Sequence, residues 1–143
     1  MSKMRDTIIT VYVDTQKIIQ LDKKAPQDEI MRHILIGDNH NDLPKKDKFT
    51  SSIREKTKLA WVGAAMHILD SDQDFVIIKK IIVKKKKSMI KIYDSKRGAG
   101  STHKDGYVGK AKKEDEEEYS IRFLVSSGGE EKVFKIDPKI RIV

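Results

Sequence analysis

Between Glu118 and Val143 the side chains alternate in character through two runs separated by a pair of glycines. Tyr119, Ile121, Phe123 and Val125 alternate with Ser120, Arg122 and Leu124, the period of two that sends successive side chains to opposite faces of an extended strand. Gly128-Gly129 supplies two residues free to take positive φ, as a tight hairpin turn requires, and Val133, Phe134 and Ile136 then resume the apolar pattern. Pro138 has no amide hydrogen to give a ladder, so the second run stops there and a short third strand follows. This spacing serves strands and not helices. It commits the chain to an all-β fold.

The 143 residues suit a single β-sandwich domain over 1–143, because a chain of this size buries about 70% of its unfolded surface around one core. The absence of cysteine removes disulfides, zinc–thiolate sites and thiol nucleophiles. The opening Met1-Ser-Lys-Met-Arg-Asp6 leads straight into a strand-like run without an apolar leader, and no apolar run nears the ~18 residues of a membrane span. A soluble, cytoplasmic protein is expected.

Net charge is +8, and its distribution matters more than its sum. Residues 79–113 hold 13 Lys/Arg against Asp94 and Asp105, whereas residues 114–143 hold 5 basic and 8 acidic groups. The basic excess therefore belongs to one segment, with Lys84, Lys85, Lys86 and Lys87 in a row and Lys91, Lys96 and Arg97 beyond them. An acidic block, Glu114, Asp115, Glu116, Glu117 and Glu118, follows. Two opposite blocks on one small domain attract a charged partner, each other, or a second copy of the chain. As solvated edges they also discourage strand-to-strand aggregation.

The remaining chain reads as short strands. Thr7–Val13 is β-branched and alternating, Lys17–Leu21 reads as a second short strand, and Asp28–Ile36 reads as one short helix entered through Pro26-Gln27. Residues 37–48 are a polar loop, and residues 49–53 a brief strand. Lys58–Leu69, with the only tryptophan, reads as a central strand buried on both faces, with a bulge near Ala60. An acidic turn over 70–74 precedes Phe75–Val83, whose β-branched density makes it a strand capped by the lysine run. Ser88–Tyr93 is expected to return as its partner, 94–106 to be a long loop, and Tyr107–Ala111 a short strand. Eight or nine strands without alternating long helices imply an antiparallel immunoglobulin-like or jelly-roll β-sandwich.

Chemistry-bearing patterns are few. His33, His40, His67 and His103 are scattered and form no metal-ligand pair. Asp70, Asp72 and Asp74 imitate the start of a calcium loop, but Ile81 stands where that loop needs its closing glutamate. Gly98–Lys104 is not a phosphate-binding P-loop, and no G-x-S-x-G elbow supports a serine nucleophile. No enzyme activity, metal or cofactor is expected. Nucleic acid or another polyanion remains an alternative partner for segment 79–113, through phosphate contacts of its lysines. Against it, Tyr93 and Tyr107 are the only aromatics available there for base stacking, and each lies in a strand pattern able to bury it.

The order of several short motifs resembles the AidA/PixA-type bacterial inclusion-body proteins. They are Val13-Asp14-Thr15, the tryptophan strand Thr57-Lys-Leu-Ala-Trp-Val62, Val76-x-Ile78, Tyr107-Val-Gly109, Glu118-Tyr-Ser-Ile-Arg-Phe123 and Ile136-Asp-Pro138. The resemblance spans most of the chain and implies a compact β-sandwich without known catalytic activity that accumulates or self-associates in the bacterial cell. It brings no catalytic residues, and it gives Trp61 and Asp137-Pro138 structural roles. The expected mode of action is recognition of itself or another protein through charged strand edges and loops: Lys84–Lys87, Lys91, Lys96 and Arg97 against acidic groups such as Glu114–Glu118.

Overall fold

The computed structural model describes residues 6–39, 50–66, 74–93 and 103–143. Their elements are β1 (Thr7–Val13), α1 (Thr15–Ile18), α2 (Gln27–Met31), β2 (Ile34–Asp38), β3 (Thr50–Ile53), β4 (Thr57–Ala65), β5 (Phe75–Val83), β6 (Ile90–Ile92), β7 (His103–Val108), β8 (Glu116–Ser127), β9 (Glu130–Ile136) and β10 (Lys139–Ile142). One sheet has the order β2-β1-β4-β7-β6, the other β3-β10-β8-β5, with β9 also on β8. The chain is all-β, and among the described residues side chains of both sheets enclose one apolar core.

The C-terminal alternation is realised as expected. Tyr119, Ile121, Phe123 and Val125 are fully buried, and Gly128 and Gly129 turn the chain at φ 60° and 84°. β9 pairs with residues 121–127 of β8, and β10 continues along the same edge opposite Glu116–Glu118. Asp137-Pro138 thus breaks one long edge into two strands, as a residue lacking an amide hydrogen should.

Strand direction is corrected. β1 lies parallel to β4, and β3 lies parallel to β10, so both sheets are mixed rather than antiparallel throughout. Nor do β5 and β6 form a hairpin: β5 pairs with β8 and β6 with β7, so the lysine run carries the chain from one sheet to the other. β7 begins at His103, inside the segment expected to be loop.

Two elements exchange character. The run expected as a strand from Lys17 begins as α1, whose N-terminus Asp14 caps by accepting from the Lys17 amide at 3.4 Å. The expected helix over 28–36 ends at Met31, and Ile34 and Ile36 then face inward from β2, in register with Val13 and Val11. Apolar residues two, three and four apart satisfy both periods, and pairing with β1 decides between them.

β4 has no bulge at Ala60. Thr57, Leu59, Trp61, Gly63 and Ala65 all face inward, while Lys58, Ala60, Val62 and Ala64 stand exposed or half-buried on the other face. Small residues on the outer face had hidden the alternation. The irregularity lies instead between Ile78 and Lys80 of β5, where Lys79 and Lys80 both stay in solvent.

Trp61 sits at the centre. Its indole Nε1 donates to the Tyr119 hydroxyl at 3.0 Å across the two sheets, with ring centroids 5.8 Å apart. Gly106 leaves room for the indole, since a β-carbon there would lie 2.8 Å from Trp61 Cζ3.

Candidate interaction surface

One end of the sandwich gathers most of the charged residues singled out from the sequence. After Val83 the chain leaves β5, and Lys84, Lys85, Lys86 and Lys87 all project into solvent before Ser88 turns inward. Glu117, near the start of β8, is only 3% exposed and holds this turn. One of its carboxylate oxygens accepts from the Ser88 hydroxyl, the other from the Met89 amide at 3.0 Å, and the Ile90 amide donates to the Ser88 oxygen at 3.0 Å. A buried carboxylate is tolerated where such donors replace water. Alternation along β8 explains the split in the acidic block: Glu117 shares the inward face with Tyr119, while Glu116 and Glu118 face out.

The rest of the block, Glu116 apart, is also engaged within the chain. Glu118 lies 3.7 Å from the Lys84 ammonium and 3.6 Å from that of Lys139, and Lys84 is 3.3 Å from Asp137. Glu114 faces Arg141 at 3.7 Å, and Asp115 accepts from the Lys112 amide at 2.9 Å. Exposed pairs of this kind contribute about 0–1 kcal/mol each, so they orient the acids more than they stabilise the fold. Among the described residues Lys85, Lys86, Lys87, Lys110 and Lys113 make no ion pair, and all are exposed. Clefts of about 250 Å³ and 330 Å³ open here, the first between Lys85, Lys87, Lys110 and Asp115–Glu117, the second between Lys84, Lys85, Glu116–Glu118 and Lys139.

Lys91 is exposed on β6, farther along the same connection. Lys96 and Arg97 lie outside the described residues, as do His40, His67, Asp70, Asp72 and the glycine-rich part of the 94–102 segment. Tyr107 is half-buried, but Tyr93 is 48% exposed, so one aromatic does stand beside the basic segment.

Two features escaped the sequence reading. Asp74, read as part of a solvated acidic turn, is 8% exposed and accepts from the hydroxyls of Thr15 at 2.6 Å and Ser127 at 2.8 Å, joining α1 to the end of β8. Its placement just before a β-branched run was the available signal. The second is a cleft of about 430 Å³ on the outer face of the first sheet, lined by Asp6, Ile8, Lys58, Ala60, Tyr93 and Asp105. It draws on four separate segments and has no local motif. Among the described residues no group of three or more His, Asp or Glu is arranged to hold a metal, and no helix is long and apolar enough to cross a membrane.

No family model matches the sequence, and no curated protein matches it. Among solved structures, the fold is shared with the crystal structure of the inclusion body protein PixA from Burkholderia cenocepacia, at a TM-score of 0.67 over 99% of this chain and 98% of that one. The two sequences are 10% identical, so the likeness is one of fold.

Proposed function

We propose that this chain is a non-enzymatic, inclusion-body-like bacterial protein of the cytoplasm that acts by associating with its own copies, the premise being that it shares the fold of an inclusion body protein from end to end. That whole-length likeness is the observation that carries the reading. The contact surface we assign is the charged end of the sandwich: Lys85, Lys86 and Lys87 with Lys91 and Glu116 make the contact, and Glu117, Glu118 and Lys84 hold the turn that presents them. Screening weakens contacts between exposed charges beyond about 8 Å at physiological salt. Sedimentation velocity should therefore show species larger than a monomer at low ionic strength that dissociate as salt is raised. A monomer at both low and high salt, across a range of concentrations, would refute the reading.

A second reading is favoured by the exposure of Tyr93 beside Lys91: nonspecific binding of nucleic acid or another polyanion by the basic segment. A fluorescence titration with a random-sequence oligonucleotide at low salt tests it. Affinity unchanged by Lys84–Lys87→Ala would remove it.

A further inference from the structure

The two ends of the molecule use their charges differently. β8 runs the length of the sandwich, its 12 residues spanning roughly 36 Å. At and just before its first residues the acids other than Glu116 are consumed internally: Glu117 by Ser88 and Met89, Glu118 by Lys84 and Lys139, Glu114 by Arg141, Asp115 by the Lys112 amide. Lys85, Lys86 and Lys87 of the β5–β6 turn are left over. At its other end lies the Gly128-Gly129 turn, followed by Glu130 and Glu131, both exposed and without an ion pair among the described residues. The cation next in sequence is the one that is consumed here. Lys132 turns its ammonium to the carbonyls of Ile19 at 2.7 Å and Leu21 at 2.8 Å, closing the C-terminal end of α1.

From this we infer that copies of the chain join head to tail, the Lys85–Lys87 turn of one receiving the Glu130–Glu131 turn of the next. The inference rests on the self-association proposed above and specifies its geometry. Charge complementarity selects the occupant, because of the acids beside the lysine turn only Glu116 is without a partner in its own chain among the described residues, whereas both acids of the far turn are. The two surfaces are different and lie at opposite ends of one strand. A contact of this heterologous kind does not close on itself after two copies, and it extends into a filament unless its rotation closes a ring.

The test uses two neutralised variants of the full chain: Lys85→Gln/Lys86→Gln/Lys87→Gln and Glu130→Gln/Glu131→Gln. Each alters only exposed side chains, in the β5–β6 turn or at the start of β9, and unchanged circular dichroism and Trp61 fluorescence verify the fold. At the low salt where the parent chain assembles, each variant alone should sediment as a monomer. Mixed in equal amounts, they should form particles of twice the monomer mass and no larger, since each mixed pair has one intact junction and two dead ends. Assembly of the Glu130→Gln/Glu131→Gln variant like the parent would overturn the head-to-tail geometry while leaving self-association standing. So would a mixture that stays monomeric, or a lysine variant that still assembles and has lost only oligonucleotide binding. A parent chain that never assembles defeats the proposed function itself.

Discussion

The Trp61–Tyr119 pair shows how one hydrogen bond is tied to pH. Both side chains are fully buried, and burial pushes the Tyr119 phenol well above its ordinary range; the Asp38 charge adds to that shift, and the hydrogen bond from the indole opposes it. In the unfolded chain the phenol ionises near pH 10, while in the folded protein it keeps its proton. Above that pH the folded state binds more protons, so stability falls by up to about 1.4 kcal/mol per pH unit from this group. Tyr119→Phe removes that slope and leaves the buried indole N–H without its acceptor, at a cost of about 1–3 kcal/mol near neutral pH. Urea unfolding at pH 7 and pH 10.5 should show the gap between the two proteins narrower by about 0.8 kcal/mol at the second. Parallel stability curves across that range would exclude the assignment.

At the scale of elements, the crossover between β5 and β6 depends on one carboxylate. Glu117→Ala removes two acceptors from the Ser88–Met89 segment and should cost about 3–6 kcal/mol, since each hydrogen bond to a charged group is worth about 1.5–3. Hydrogen exchange gives the local readout: the Met89 and Ile90 amides should lose protection while those of β1 and β4 keep theirs. Uniform loss across the core would mean that the turn is held by something else. This clasp also marks the limit of what the sequence discloses. The parity of β8 was legible in Tyr119, Ile121, Phe123 and Val125, and extending it back by two residues puts Glu117 on the inner face; a run of five acids masks that singular position, because a carboxylate carries no apolar signal. The directions of β1 and β4 were illegible for another reason. Alternation says which face a residue takes but not which strand lies beside it, and pairing between distant segments leaves no local trace. Asp74 and the outer-face cleft fall in the same class, each assembled from segments far apart in the chain.

For the molecule as a whole, one apolar core shared by both sheets predicts one cooperative unit. Trp61 is the only tryptophan and reports from that core, whereas far-ultraviolet dichroism reports on all the strands. The two should give coincident denaturation midpoints, as two-state unfolding requires; separate midpoints would divide the chain into independently stable parts. The two parallel pairings carry a kinetic consequence. Thr7 aligns with Leu59, and Thr50 aligns with Lys139, so neither sheet is finished by neighbours in the chain. Non-local pairing of this kind slows folding, because the entropy of loop closure is lost before the contacts form. During synthesis β3 waits without its partner until Lys139–Ile142 leave the ribosome, and crowding by sister chains finds the polypeptide at its most vulnerable in that interval.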